Sequence, residues 1–280
     1  MTASGARTTK QRLDVELVER GLAPTRQAAQ ALIMSGSVCV QGLTADKPGI
    51  RVPAGAEITV RGSAPAYASR GGLKLAGALD SFGLDVTGLT ALDVGASTGG
   101  FTDCLLKHGA ARVIALDVGR GQLAWRLRGD PRVLVLEGIN ARGLSASDLP
   151  AGAAIDMAVV DVSFISLRLV LPRLPPLLRS DRPGSGVILA LIKPQFEVGR
   201  GQVGRGGIVR DAALRLVAVE GIAEFATAQG LAVRGLAASP IAGAEGNREY
   251  FAHLSVRDGG LTREEVHGRA LEITGVSACR

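Results

Sequence analysis

Four charged residues stand where apolar runs break off, and their types suit proton handling at a hydroxyl. Lys193 ends the run Val187-Ile188-Leu189-Ala190-Leu191-Ile192 and precedes Pro194, and Asp161 ends Met157-Ala158-Val159-Val160. Glu249 opens a second apolar run, Tyr250-Phe251-Ala252, and Lys74 lies in Ser69-Arg70-Gly71-Gly72-Leu73-Lys74-Leu75. A lysine held neutral can take a hydroxyl proton, a second cation can steady the developing oxyanion, and carboxylates between them orient both. Taken singly, Asp161 could cap a following helix, Glu249 could be an edge-strand acid, and Lys74 a solvated helix residue, as most lysines are. Lys193 is the hardest to explain by packing, because it is a charge set directly after six apolar residues.

A partner for such residues is suggested by Asp93-Val94-Gly95-Ala96-Ser97-Thr98-Gly99-Gly100-Phe101. An apolar strand runs into a small-residue turn and then a helix, which is how a nucleotide-like cofactor is gripped at the carboxyl edge of a parallel sheet. Glycine lets backbone approach a ligand where a Cβ would collide. The glycines at 95, 99 and 100 do not have the G-x-G-x-x-G spacing that seats a pyrophosphate, and Asp93 would repel one. A carboxylate there suits a cationic cofactor with an amino-acid tail, and S-adenosylmethionine fits that description. Asp117, at the tip of the next strand, is placed to bind ribose hydroxyls. The competing reading is an ordinary turn with helix-capping polar residues.

The elements that must position these residues alternate from residue 70 onward. Strands are expected at 90–94, 112–116, 132–136, 155–160 and 186–192, and helices at 101–108, 120–127, 164–179 and 211–229. That pattern is α/β, a doubly wound parallel sheet. Strands 231–238 and 249–256 are joined by a loop too short for a crossover helix, so they pair antiparallel and the last strand starts at the same edge as the four charges. Ahead of this, residues 11–62 read as a small α+β unit with helices Gln11–Arg20 and Arg26–Ser35 and short strands at 37–40 and 57–60. Residues 63–69 read as a linker, 70–260 as the large domain, 1–10 as disordered and 261–280 as a tail.

Composition narrows the partners. A net charge of +6 and a pI near 9.7 point to a polyanion. Residues 1–70 hold nine Lys/Arg against five Asp/Glu, with Arg12, Arg26, Arg61 and Arg70 spread over a small fold, which suits a nucleic-acid face as well as a solvated surface. The loop from Pro194 to Asp211 carries Arg200, Arg205 and Arg210 among glycines, either a mobile surface loop or an RNA-contacting lid. Three scattered cysteines and three histidines share no metal-ligand spacing, so no metal is expected, and the thiols read as reduced ones of a cytoplasmic protein. A polar start without a signal-peptide core, and no run of about 18 apolar residues, leave no membrane partner.

These segments together resemble one family. Val160-Asp161-Val162-Ser163-Phe164-Ile165-Ser166-Leu167, Lys193-Pro194-Gln195-Phe196-Glu197-Val198-Gly199 and Gly246-Asn247-Arg248-Glu249-Tyr250-Phe251 look like the TlyA family, as do the Ser69–Leu75 segment and the glycine turn. The resemblance runs from Arg12 to about Val256, with the motifs in order. It implies an S4-like RNA-binding domain followed by an FtsJ-like, Rossmann-like methyltransferase domain, acting on ribose 2′-hydroxyls of cytidines in ribosomal RNA within ribosomal subunits. By that resemblance the Lys-Asp-Lys-Glu tetrad is Lys74, Asp161, Lys193 and Glu249, with Lys193 as base. S-adenosylmethionine contacts would be Asp93, Gly95, Ser97, Gly99, Gly100 and Asp117, with Asn140 at the adenine end. The linker Pro65-Ala66-Tyr67-Ala68 departs from the family pattern of an arginine and a tryptophan. A monomer or weak dimer is expected. The alternatives are an RNA-binding protein with an inactive methyltransferase fold, a hemolysin-like membrane activity, and a nicotinamide oxidoreductase, the last disfavoured by the glycine spacing.

Overall fold

Helix caps and short apolar runs build the first of two units, Met1–Gly72, and a seven-stranded mixed sheet builds the second, Leu73–Arg280. The structure is a computed structural model and describes residues 10–23, 25–53, 55–60, 66–243 and 246–276. Arg61, Pro65 and the first nine residues of the expected disordered start lie outside the described residues. Lys10 does not belong with that start, because it opens strand β1 (Lys10–Arg12).

In the first unit, β1 leads into α1 (Leu13–Glu19), and α2 (Arg26–Met34) is capped by Thr25, whose hydroxyl accepts from Ala28 N. Four short strands follow, β2 (Val38–Val40), β3 (Leu43–Ala45), β4 (Arg51–Pro53) and β5 (Ile58–Val60). They pair as β3-β2-β5 and β1-β4, all antiparallel. Leu13, Leu17, Ala29, Ile33 and Val38 fill the core between helices and strands.

The second unit carries α3 (Gly71–Phe82), then β6 (Thr90–Val94), α4 (Gly100–Lys107), β7 (Arg112–Asp117), α5 (Trp125–Arg128), β8 (Val133–Glu137), β9 (Met157–Val160) and β10 (Val187–Ile192). It closes with α6 (Pro194–Glu197), α7 (Ala212–Ala228), β11 (Ala232–Ala238), β12 (Tyr250–Ser255) and α8 (Arg263–Thr274). The sheet order is β11-β12-β10-β9-β6-β7-β8, with β12 antiparallel to both neighbours and the β6 to β10 ladders parallel. Every residue of β9 and β10 is buried, which is why their sequence reads as unbroken apolar runs rather than alternation. The strand order reverses between β6 and β9, so a crevice opens at their carboxyl ends.

Three expectations fail locally. The helix expected at 164–179 is instead a chain of 3-10 turns at Leu167–Leu169, Leu171–Arg173 and Pro175–Leu177. Pro172, Pro175 and Pro176 have no N–H to donate, so an α-helical ladder cannot form. The helical spacing still serves packing, for Leu167, Val170, Leu171, Leu174 and Leu177 all enter the core. The helix expected at 120–127 shrinks to α5 because Gly121 takes a left-handed φ of 70°. The expected tail holds α8, started by a Thr262–Glu265 capping box and packed on α7 and β11.

Candidate active site

The sheet brings the four charged residues to one edge. Ile192 of β10 pairs with Tyr250 of β12, so Lys193 and Glu249, one step beyond, leave the same end of adjacent strands. Asp161 follows Val160 on β9, the other neighbour of β10, and Lys74 reaches the edge from the first turn of α3. They form two ion pairs. Lys74 Nζ lies 2.6 Å from Glu249 Oε2, with 11% and 2% of the side chains exposed. Lys193 Nζ lies 2.6 Å from Asp161 Oδ1, with 10% and 20% exposed. The second contact is one of charge without hydrogen-bond alignment, and Lys193 also donates to Ser163 Oγ at 2.8 Å. Low exposure keeps such pairs less screened than surface ones.

Small residues make room for this arrangement. A Cβ on Gly243 would lie 2.0 Å from Glu249 Oε1, and one on Gly77 would lie 2.6 Å from Pro240 Cγ. The first fixes where the Glu249 carboxylate sits, and the second lets α3, with Lys74, come close to the loop after β11. Glu197 takes hydrogen bonds from Ser166 Oγ (2.6 Å) and Leu167 N (2.8 Å), tying the segment after Asp161 to the segment after Lys193. Burial raises its pKa above the ordinary glutamate value. Phe164 holds a left-handed φ of 65° and is 85% exposed, with its ring 5.3 Å from that of Phe196.

At the crevice between β6 and β9 is a cavity of about 600 Å³ lined by Gly95, Ser97, Asp117, Gln122, Asn140 and Asp161, among others. Gly95 has φ 89°, and a Cβ there would lie 2.5 Å from the Asp161 carbonyl oxygen, so only glycine lets the two strand ends close up. Asp117 is held by two backbone donors, Ser97 N to Oδ2 at 2.8 Å and Gly119 N to Oδ1 at 2.7 Å. Asn140 caps the turn Ala141–Gly143 by accepting from Arg142 N.

Not every expected cofactor residue faces that cavity. Asp93 lies beneath it, 1% exposed, and accepts from Thr102 Oγ1 at 2.6 Å, while its Oδ1 has no hydrogen-bond partner. Burial pushes its carboxyl up to about 7, against the help of Thr102 and with the Asp161 charge adding to the rise. Gly99, at φ 94°, makes way for Leu127 and Leu123, whose methyls would lie 2.3 and 2.9 Å from a Cβ. Gly100 is buried at the start of α4.

The arginines divide. Arg12 and Arg26 both bond the fully buried Asp14, at 3.0 and 2.9 Å, with Gln30 as a third donor, and together they hold its carboxyl well below the usual aspartate range. They brace the small unit while staying about half exposed. Arg70 sits in the turn entering α3, Arg200 begins the 3-10 turn Arg200–Gln202, and Arg205 is exposed at a tight turn. Sequence reasoning missed Ser163 and Glu197 as site residues; both lie inside the quoted motifs, but nothing in spacing alone says which polar group a lysine will bond.

Comparison with known proteins agrees with the two-unit layout. Residues 67–256 match the FtsJ-like methyltransferase family and residues 11–58 match the S4 domain. The chain is 50% identical over 244 residues to the 16S/23S rRNA (cytidine-2'-O)-methyltransferase TlyA of Mycobacterium tuberculosis, covering 87% of this chain and 89% of that one. It is 39% identical to Hemolysin A of Brachyspira hyodysenteriae over 88% of this chain and all of the relative. A solved chain from Streptococcus thermophilus that bears a hemolysin name superposes with a TM-score of 0.73 at 40% identity, over 96% of this chain and 97% of that one. With an S4 domain ahead of an FtsJ-like catalytic domain and 50% identity to such a relative over 87% of its length, the chain belongs to the TlyA family of methyltransferases.

Proposed function

We propose that the protein methylates the 2′-hydroxyl of cytidine in ribosomal RNA, in the small subunit, the large subunit or both, using S-adenosylmethionine. The observation that carries this reading is the double position of Asp161, which lines the crevice cavity and pairs with Lys193. One residue thus joins the place for a cofactor to the place for proton transfer. The cavity fits the cofactor on its own terms. Gly95, Asp117 and Asn140 all line it, with Asp117 presenting a carboxylate fixed by two backbone donors for a ribose and Asn140 available to a purine ring. When bound, S-adenosylmethionine supplies an electrophilic methyl group.

The chain's own residues do the rest. Lys193 takes the proton of the attacking 2′-hydroxyl, and Lys74 steadies negative charge on that oxygen. Asp161 and Glu249 hold the two lysine side chains apart and aimed, with Lys193 acting as its neutral amine and Lys74 as the ammonium. Ser163 fixes the Lys193 rotamer. The S4 unit and the arginines at 200, 205 and 210 grip phosphate and RNA shape rather than sequence. Ribosomal subunits as substrate make this a cytoplasmic activity. Among the described residues, no helix is long and apolar enough to cross a membrane.

Labelled methyl transfer from S-adenosylmethionine to purified ribosomal subunits tests the assignment of Lys193. Lys193→Ala is expected to lower transfer by ~100-fold or more, the scale of general-base loss, while cofactor affinity stays within about two-fold. Near-normal transfer by the variant would remove Lys193 from the role of base.

A further inference from the structure

Asn247 is two residues ahead of Glu249, only 3% exposed, and no step of the reaction uses it. Its side-chain amide reaches across to the glycine-rich loop after α6. Oδ1 accepts from Val209 N at 3.0 Å, and Nδ2 donates to Gly207 O at 2.9 Å. The amide orientation is set by these partners, since turning it over would face donor to donor and acceptor to acceptor. Its backbone carbonyl accepts from Gly243 N at 2.8 Å, and Gly243 is the residue against which the Glu249 carboxylate rests.

The loop segment that Asn247 holds is a shaped turn. Gly204 N donates to Ile208 O at 3.2 Å, Gly206 and Gly207 take φ of 79° and 75°, and Arg205 projects exposed from the tip. Behind it, Arg215 of α7 is buried and donates to the carbonyls of Val209 and Arg210. The turn is therefore clamped at its base from two sides, by Asn247 and by Arg215, while its cationic tip meets solvent.

We infer that Asn247 is a positioning residue that ties the Arg205 turn to the segment carrying Glu249, so that RNA phosphate engaged at Arg205 sets the Lys74–Glu249 pair for reaction. This rests on the RNA-methyltransferase reading above. The physical basis is short and continuous. Tip, turn, amide, Gly243 and Glu249 are linked by hydrogen bonds and one close packing contact. A displacement of the turn by RNA is passed to the carboxylate that aims Lys74. An asparagine serves because it satisfies one backbone donor and one backbone acceptor at once, which neither aspartate nor serine does in the same reach.

The test compares wild type, Asn247→Ala, Arg205→Ala and the double variant on purified ribosomal subunits, with cofactor affinity and melting temperature measured alongside. Arg205→Ala is expected to raise KM for subunits and to lower kcat as well. Asn247→Ala is expected to lower kcat by roughly 10- to 100-fold, the scale of a displaced catalytic group, with cofactor affinity within about two-fold. In the Asn247→Ala background, Arg205→Ala should change KM but no longer kcat. Independent, multiplying effects on kcat would overturn the tie, and so would a kcat for Asn247→Ala within about two-fold of wild type. Asn247→Asp keeps the acceptor for Val209 N and loses the donor to Gly207 O, so a folded, partly active variant guards against misreading simple unfolding. Amide exchange in the free protein decides the tie without any turnover. Asn247→Ala must speed exchange in both the 204–210 and the 243–250 stretches, and a change confined to the first would contradict it. If wild-type enzyme transfers no methyl to any subunit, the methyltransferase reading fails, while the exchange result still rules on the tie.

Discussion

Lys193 leaves a fully buried strand into a spot shared by one carboxylate and one hydroxyl, and its neighbour Asp161 reaches both it and the crevice between β6 and β9. The sequence showed that Lys193, Asp161 and Glu249 sit at strand ends and Lys74 at the start of a helix. It did not show how they pair, because pairing depends on rotamers and on small residues such as Gly243 that come from distant parts of the chain. Asp93 stands apart from the other acids at this scale. Its position before the glycine turn suggested a charged contact for a cationic ligand, whereas burial raises its carboxyl to about 7. A folded-state pKa raised above the unfolded one favours the native state most at pH below ordinary aspartate titration, and that contribution is lost as pH rises from about 4 through about 7. Asp93→Asn, which keeps an acceptor for Thr102, should therefore gain melting temperature relative to wild type progressively across that window and hold the gain above it. Melting curves at a series of pH values check this, and a difference independent of pH would show that Asp93 is ionised in the folded protein throughout.

The turn between β6 and α4 is the element on which the crevice depends. Strands β6, β7, β9 and β10 were legible because buried parallel strands leave long apolar runs. The segment 164–179 misled because helical spacing and proline content disagree, and the prolines prevail. Helix α8 escaped notice because its buried face is thin, Val266, Ala270 and Thr274 alone, so no apolar stripe announces it. Within the turn, two glycines that look alike in sequence serve different ends. Gly95→Ala places a Cβ against the Asp161 backbone, which must shift the cavity lining, so cofactor affinity should fall by ~10-fold or more, while the left-handed φ common to both glycines costs each variant stability. Gly99→Ala presses instead on Leu127 and Leu123 and should cost stability more than affinity. Isothermal titration and thermal melting of the two variants separate these effects. Equal losses of affinity would mean that both glycines shape the cofactor site.

At the scale of the molecule, a small S4 domain, braced inside by Asp14 with Arg12 and Arg26, precedes an FtsJ-like domain whose sheet edge carries the Lys74 and Lys193 ion pairs. The ordering of motifs along the chain already pointed to this pairing of RNA binding with methyl transfer, since a glycine turn alone identifies no acceptor. Fold class was legible from alternation of elements, but the brace at Asp14 was not, as a lone acid gives no sign of which arginines it will draw in. The proposed acceptor is a cytidine 2′-oxygen in ribosomal RNA. That proposal is met most directly by incubating the purified protein and S-adenosylmethionine with ribosomal subunits from a strain that lacks the enzyme, then mapping ribose methylation along both rRNAs. New 2′-O-methylcytidine is expected at a defined site, absent when Lys193→Ala replaces wild type. Methyl groups on base atoms, or no gain at any ribose, would contradict it.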